Sequence, residues 1–305
     1  MARAKLKPVI AITLGDVAGV GPEVVRKALR SGKVDSRFEY EIVDHQSAPK
    51  VPMNRINVKS ARFAIRSLER AVEGCLSGRY EAVVTGPVNK TGLKKVGFKF
   101  PGQTEFIAHL CGSDRFAMML TGGGLRVILV TTHVPIAAVP GLLNEANIHQ
   151  TIELASQFLV ELGLKKPRIA VAGLNPHAGE IGDEEAKVIL PAIRKAGSVN
   201  KVAVITGPWS PDTIFYHALK GQFDAVVCMY HDQGLIPLKL LAFDTGVNVT
   251  IGLPVIRTSP DHGTAYDIAG ENKARPDSMV AAINMAAQLA WIKSRLKNQL
   301  GTKSK

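Results

Sequence analysis

The sequence predicts an α/β protein of two domains or of one large α/β unit, built on a mainly parallel β-sheet with helices on its faces. Short β-branched runs alternate with longer segments in which apolar residues recur every three or four positions. Alternation of strands and helices is typical of parallel sheets, whose strands are joined by helical crossovers. The chain also has 305 residues, which is long for a single compact domain.

The predicted elements follow from these runs in chain order. The strands, short and rich in Val, Ile and Thr, are Val9–Thr13, Tyr40–Val43, Ala82–Thr85, Phe116–Leu120, Val127–Thr131, Ile169–Gly173, Val202–Thr206, Ala225–Met229 and Val247–Ile251. The clearest helices, with an apolar stripe at helical spacing, are Pro22–Leu29, Ala61–Leu76, Ile148–Leu162, Glu184–Lys195 and Ser278–Leu296. The triple glycine Gly122-Gly123-Gly124 is predicted to form a hairpin turn.

The charge and the cysteines narrow the class of protein. The net charge of +12 would suit nucleic acid, a membrane surface or an anionic small substrate. Much of the excess positive charge lies near the chain ends, where we expect the basic side chains to face solvent. These residues are Arg3, Lys5, Lys7, Lys293, Arg295, Lys297, Lys303 and Lys305. No nucleic-acid-binding motif accompanies it. Three cysteines without paired spacing indicate a reduced, cytoplasmic protein, and no segment is apolar enough for a membrane span.

Polar residues follow several of the predicted strands. In open α/β folds ligands bind beyond the carboxyl ends of the strands, so these positions are candidates for one cleft. The segments are Thr85-Gly86-Pro87, Thr131-Thr132-His133, Leu174-Asn175-Pro176-His177, Thr206-Gly207-Pro208 and Met229-Tyr230-His231.

Three of these strand ends carry a histidine, namely His133, His177 and His231. Imidazole suits zinc and similar divalent ions better than magnesium, and three protein ligands with an open position are typical of a catalytic site. The alternative is that each histidine hydrogen-bonds its own loop. Asp232 could orient His231, while Asp212 is either an active-site acid or a cap of the following helix.

The remaining candidate residues concern the binding of an anion. Lys239, Asn248 and Arg257 follow the third histidine, and a lysine with an arginine is suited to phosphate or carboxylate. The glycine-rich turn at 13–23 could approach an anion or could reflect tight packing alone. It is not a dinucleotide-binding fingerprint, since Val24 stands where the third glycine is required.

Taken together, these segments resemble the 4-hydroxythreonine-4-phosphate dehydrogenase family of vitamin B6 biosynthesis. The segments that carry the resemblance run in the family's order from residue 12 to residue 270: ITLGDVAGVGPE, VVTGPVNK, PGQTEF, TTHVP, GLNPHAGE, GPWSPDT, MYHDQGLIPLK and GVNVTIGLPVIRTSPDHGTAYDIAG. The resemblance implies an isocitrate/isopropylmalate-dehydrogenase-like fold without a classical Rossmann motif. It implies a terminal domain of residues 1–98 and 246–305 and a central domain of residues 99–245 that carries a dimer interface, with the active site in the cleft between them.

The resemblance also implies roles for individual residues. His133, His177 and His231 would bind a divalent metal (zinc, or else cobalt, manganese or magnesium), with His231 donated across the interface of a homodimer. The substrate contacts would be Gln103, Thr104, Lys239, Asn248 and Arg257, with Asp212 and Lys239 as catalytic residues and Asp212 as the base. NAD or NADP would lie on the loop that contains His262, Gly263, Thr264, Ala265 and Asp267.

The implied reaction is oxidation of the C3 hydroxyl of 4-phosphohydroxy-L-threonine, followed by decarboxylation to 3-amino-2-oxopropyl phosphate. One departure bears on the substrate: Gln103 stands where the family usually has histidine, and glutamine cannot become cationic. Paralogues that act on 4-phospho-D-threonate or 4-phospho-D-erythronate are therefore an alternative. A phosphate acyltransferase on the same fold is an alternative from another enzyme class, and a basic nucleic-acid-binding protein is an alternative outside enzymes.

Overall fold

The computed structural model describes residues 7–301, and the side chains of residues 7–296. Arg3, Lys5, Lys303, Lys305 and the side chain of Lys297 lie outside the described residues. The strands are β1 (Val9–Thr13), β2 (Glu39–Ile42), β3 (Ala82–Thr85), β4 (Ala117–Gly122), β5 (Leu125–Leu129), β6 (Arg168–Ala172), β7 (Val204–Trp209), β8 (Ala225–Cys228), β9 (Val247–Ile251) and β10 (Ile256–Pro260).

The helices are α1 (Gly21–Arg30), α2 (Val58–Leu76), α3 (Lys90–Lys94), α4 (Gln103–Leu110), α5 (Val139–Leu142), α6 (Glu145–Glu161), α7 (Leu190–Val199), α8 (Ile214–Leu219), α9 (His231–Ala242) and α10 (Asp277–Gly301). A π-helical turn, Glu185–Ile189, leads into α7. In the described part of the chain, no helix is both long and apolar enough to cross a membrane.

The chain divides into two compact units. Unit 1 comprises residues 1–114 and 253–305, and its strands lie in the order β2-β1-β3-β10. All three strand pairs in this unit are parallel. Its core includes the buried residues Ala11, Val83 and Tyr80 between the sheet and α2. The carboxyl ends of β1 and β3 therefore lie side by side, with Thr13 paired to Thr85.

Unit 2 comprises residues 115–252, and its strands lie in the order β9-β4-β5-β8-β6-β7. Strand β4 is antiparallel to β5 and β9, and the pairs β5–β8, β8–β6 and β6–β7 are parallel. Gly123 and Gly124 both have positive φ between β4 and β5, which suits a tight hairpin and confirms the predicted turn. The predicted α/β class with a mainly parallel sheet is confirmed.

The predicted elements do not include strand β10 or the helices α3, α4, α5, α8 and α9, and β10 and α9 are the instructive cases. Strand β10 was not predicted, because Pro254, Arg257 and Pro260 obscure its β pattern. Helix α9 was not predicted either, since it contains Gly234 and Pro237, residues that usually interrupt helices. The expectation that His231 lies in a loop is therefore wrong, because His231 is the first residue of α9.

One further expectation needs correction, and the two compact units can be compared with the predicted domains. Thr206-Gly207-Pro208 does not follow a strand, because β7 continues to Trp209. The units divide after Asp114 and before Leu253, whereas the predicted domains divide after residues 98 and 245. The difference at the first boundary is α4, whose Phe106 and Ile107 pack with Leu68 and Val72 of α2 in unit 1.

Candidate active site

The site in unit 1 is organised around Arg257 of β10, which is 3% exposed. Its Nη2 and Nε donate to Thr85 Oγ1 at 2.8 and 3.2 Å, and its Nη1 donates to Thr104 Oγ1 at 3.4 Å. Burial lowers the pKa of Arg257 to about 10, opposed by the charge of Glu105. The guanidinium therefore remains a cation at neutral pH, held in a fixed orientation by two threonine hydroxyls.

Helix α4 brings two predicted substrate contacts to the same place. Gln103 is its first residue, and the Gln103 Nε2 donates to the carbonyl of Gly86 at 3.1 Å. Thr104 follows and is buried against Arg257. Thr104 thus contacts Arg257, and Gln103 lies next to Thr104 at the start of the same helix. Thr85 also belongs to this group, because Arg257 donates to its hydroxyl. Its position at the end of a predicted strand was the only feature of the sequence that indicated a role in the site.

The glycine-rich turn after β1 serves backbone packing. A Cβ at Gly15 would lie 2.2 Å from the carbonyl oxygen of Pro87, one at Gly21 would lie 2.0 Å from that of Leu14, and one at Gly19 would lie 2.7 Å from that of Thr264. The amide of Val20 also donates to the Thr264 carbonyl at 2.9 Å. At these positions the glycines are required by neighbouring protein backbone, so the structure favours the packing interpretation of this turn.

Buried Asp16 ties this turn to the predicted cofactor loop. Its carboxylate accepts hydrogen bonds from Tyr266 Oη at 2.6 Å, from Ser60 Oγ at 2.5 Å and from the Ala18 amide at 2.9 Å. Desolvation and this bond to Asp16 raise the pKa of Tyr266, so its hydroxyl stays a donor. Sequence analysis singled out neither Asp16 nor Tyr266, because their contact joins residues 250 positions apart.

The loop itself is irregular. Ala265 has φ of 40° and precedes a 3-10 turn over Tyr266–Ile268. Nδ1 of His262 lies 3.0 Å from the carbonyl oxygen of Gly263, and its Nε2 is buried without a hydrogen-bond partner among the described residues. Gly263 and Asp267 are exposed, and Thr264 is half-buried. The loop therefore presents small side chains and an unpaired ring nitrogen.

Unit 2 contains the three histidines. The rings of His133 and His231 lie 5.4 Å apart between centroids. Nδ1 of His231 lies 2.6 Å from Asp232 Oδ1. This carboxylate would orient the imidazole ring and leave its Nε2 available to a ligand. His177 lies in an exposed 3-10 turn with φ of 60°. Within residues 7–296, no group of three His, Cys, Asp or Glu side chains is arranged to hold a metal ion.

The donor set nevertheless suits a divalent metal, because two imidazoles already lie side by side and one of them has a carboxylate on its far nitrogen. A third ligand would have to come from His177 or from outside the chain. The structure thus brings together two of the three predicted ligands.

Three other predicted residues lie apart in unit 2. Asp212 is exposed before α8, whose N-cap is Thr213, so the helix-cap interpretation of Asp212 is wrong. Lys239 Nζ lies 5.8 Å from the ring centroid of Phe243 within the α9 region. Asn248 is half-buried on β9, and its Oδ1 is buried without a hydrogen-bond partner among the described residues.

Comparison with known proteins identifies a family. A family model described as "Pyridoxal phosphate biosynthetic protein PdxA" matches residues 12–286. A 4-hydroxythreonine-4-phosphate dehydrogenase of Desulfosudis oleivorans is 44% identical, over 93% of this chain and 96% of that protein. A D-threonate 4-phosphate dehydrogenase of Salmonella typhimurium is 40% identical, over 92% and 98%.

Solved structures agree in fold. A crystal structure of 4-hydroxythreonine-4-phosphate dehydrogenase from Klebsiella pneumoniae is 37% identical, with a TM-score of 0.79 over 93% of this chain and 99% of that one. A branched-chain phosphotransacylase from Enterococcus faecalis, 14% identical, has a TM-score of 0.53 over 92% of this chain and 99% of that one. At that identity the second likeness concerns the fold alone.

Proposed function

The chain belongs to the family of the pyridoxal phosphate biosynthetic protein PdxA, a family of dehydrogenases, and on that premise we propose its reaction. The chain oxidises the C3 hydroxyl of 4-phosphohydroxy-L-threonine with NAD or NADP in the presence of a divalent metal. The β-keto acid so formed loses CO2 and yields 3-amino-2-oxopropyl phosphate.

The observation that carries this proposal is the buried guanidinium of Arg257. A cation that is 3% exposed and bonded to the hydroxyls of Thr85 and Thr104 is preorganised for a planar, bidentate contact with an oxyanion. Gln103 and Thr104 lie at the first turn of α4, where a helix favours negative charge. These features support a phosphorylated, anionic substrate, with Lys239 and Asn248 as further contacts.

The metal would be held by His133, His177 and His231. The adjacent rings of His133 and His231 and the Asp232 carboxylate on the latter support this assignment. A divalent metal there, with zinc the first choice for three imidazoles, would supply Lewis acidity to the substrate hydroxyl. The protein's own part is to hold the imidazoles in orientation, as Asp232 does for His231.

The proton of the C3 hydroxyl passes to Asp212 in this proposal, through water if the distance requires it. Asp212 is exposed at the start of the α8 region, and a carboxylate reached by solvent can release the proton after each turnover. The loop of His262, Gly263, Thr264, Ala265 and Asp267 would hold the dinucleotide, whose nicotinamide would supply the oxidising chemistry as the hydride acceptor.

We also propose a homodimer in which α9 lies at the interface. Ile236, Leu240 and Phe243 are 69%, 87% and 72% exposed, and they recur at helical spacing on one face. Contiguous exposed apolar patches on soluble proteins commonly mark interaction sites. A second copy would cover this face, and the same helix would bring His231 to the interface.

A second candidate substrate is 4-phospho-D-threonate. The D-threonate 4-phosphate dehydrogenase relative is 40% identical, nearly as similar as the relatives named for 4-hydroxythreonine 4-phosphate. Gln103 is uncharged and donates to Gly86, so it offers no cation to the ligand.

The decisive experiment is a turnover screen with purified protein. 4-Phosphohydroxy-threonine, 4-phospho-D-threonate and 4-phospho-D-erythronate are each supplied with NAD or NADP, with and without zinc, and formation of reduced nicotinamide is followed by absorbance. We expect metal-dependent turnover of 4-phosphohydroxy-threonine. Faster turnover of phospho-threonate would favour the second candidate. Acyl transfer without nicotinamide reduction would overturn both.

A further inference from the structure

Gln233 is a buried polar residue outside the predicted site that joins two of the histidine-bearing strand ends. We propose that Gln233 is the positioning residue that fixes the His133 and His177 segments of one chain relative to one another, and so controls the affinity for the divalent metal. This inference rests on the metal site of the proposed function. It adds a residue that touches neither metal nor substrate.

The contacts of Gln233 reach two strand ends at once. Its Oε1 accepts from the amide of Met229 at 2.7 Å, directly after β8 and two residues before His231. Its Nε2 donates to the carbonyl of Gly173 at 2.7 Å, directly after β6 and four residues before His177. Gln233 is only 7% exposed, so water cannot easily replace these bonds.

A third strand end is linked through Thr131. Its Oγ1 donates to the carbonyl of Met229 at 2.7 Å, and its amide lies 3.2 Å from the same oxygen. Thr131 follows β5 and lies two residues before His133. The peptide groups of Met229 are therefore bonded on the carbonyl side to the His133 segment and on the amide side to Gln233.

The His177 segment is fixed from its other side by Glu185, which is 2% exposed. Glu185 Oε1 accepts from the amides of Leu174 and Asn175 at 2.8 and 2.7 Å. A Cβ at Gly173 would lie 3.1 Å from Ala178 and 3.2 Å from Glu185 Oε1, so this loop is closely packed. Gln233 thus bonds to a loop segment that Glu185 already holds in place. Its bond to Gly173 therefore fixes the His177 segment relative to Met229.

These contacts form one path from the His133 segment through Met229 and Gln233 to the His177 segment. One chain would contribute both segments to the proposed metal site. Metal ligands supported in this way are held near their binding geometry before the metal arrives. Loss of such support typically weakens metal affinity about tenfold to hundredfold. The imidazoles themselves would be intact.

The test measures Co²⁺ affinity, by titration of the visible d–d absorption of the full-length protein, alongside thermal unfolding. Gln233→Met keeps the shape of the side chain and removes both bonds. Thr131→Val removes the hydroxyl at constant size, and Thr131→Ser keeps it. Thr151→Val is the control, because the buried Thr151 hydroxyl bonds within α6 to Asn147.

We expect Q233M to weaken Co²⁺ binding at least about tenfold and to change the absorption band. T131V should weaken it by less, and T131S and T151V should bind as the unchanged protein does. Wild-type affinity and spectrum in folded Q233M, with loss in His177→Ala, would overturn the positioning role alone. If Q233M does not fold, equal affinity of T131V and T131S would overturn it. Wild-type affinity in all three histidine-to-alanine variants would overturn the metal site as well.

Discussion

At the scale of the residue, Arg257 makes the sharpest prediction. Arg257→Lys keeps the charge but loses the planar fork that Thr85 and Thr104 orient. We expect the KM for the phosphorylated substrate to rise roughly tenfold or more, since a charge-assisted bidentate contact is worth about 1.5–3 kcal/mol. The KM for the dinucleotide should stay nearly constant.

The pH dependence provides a check on this prediction. Since the pKa of Arg257 is lowered only to about 10, the residue should contribute no change in substrate affinity between neutral pH and pH values well below 10. Arg115→Lys is the control, because Arg115 pairs with Glu153 at the surface of unit 2. An unchanged substrate KM in R257K would remove Arg257 from the anion site.

Gln103 makes a second prediction at this scale. Gln103→His should place a titratable ring at the first turn of α4, and its cationic form would attract the substrate phosphate. The gain in kcat/KM over the unchanged protein should be present below about pH 6.5 and disappear above it. The measurement is the ratio of the two proteins' kcat/KM against pH, for phosphohydroxy-threonine and phospho-threonate. A pH-independent ratio for both substrates would show that residue 103 does not face the phosphate.

At the scale of the element, α9 owes its position to Gly234. A Cβ there would lie 3.1 Å from Cys228 Sγ and 3.2 Å from Val127 Cβ, which is tighter than most Cβ contacts, so these neighbours would have to move. Gly234→Ala should therefore destabilise the protein by about 1–3 kcal/mol, although alanine favours a helix by about 1 kcal/mol. Gly197→Ala in α7, where nothing lies within 4 Å, should instead stabilise. Urea unfolding of the two variants measures the difference, and stabilisation by G234A would contradict this account of the packing.

The same helix carries the dimer prediction. Leu240 is 87% exposed, so Leu240→Glu should not disturb the core of unit 2. If α9 packs against a second copy, a buried and unpaired carboxylate should dissociate the dimer. Light scattering coupled to size-exclusion chromatography should show a monomer for L240E. Leu76→Glu, at a 50% exposed position of α2, should leave the oligomeric state unchanged, and a dimeric L240E would place the interface elsewhere.

Helix α9 and strand β10 also show where prediction from sequence stops. Periodicity predicted nine of the ten strands in the described residues. The rings of His133 and His231, both of which follow predicted strands, lie 5.4 Å apart. The periodicity of apolar residues could not predict α9, because Gly234 and Pro237 are unfavourable in a helix unless tertiary packing compensates for them. It could not find the bonds of Arg257 to Thr85, because residues 172 positions apart meet only once the strand order is known.

At the scale of the whole molecule, the remaining question is which chain supplies His231 to the metal site. The rings of His133 and His231 lie 5.4 Å apart in one chain, yet His231 begins the helix whose apolar face is exposed. Family resemblance assigns His231 to the partner's site. A site within one chain and a site shared between two chains give opposite results when two inactive variants are mixed.

The experiment mixes His133→Ala with His231→Ala after reversible dissociation. In a symmetric dimer with shared sites, a mixed dimer holds one site with both changes and one site with neither. Since about half of randomly formed dimers are mixed, we expect roughly a quarter of the wild-type activity to return. Each variant alone, and the mixture in the L240E background, should stay inactive. If His133 and His231 served the same chain, every site in the mixture would lack one ligand and no activity would return.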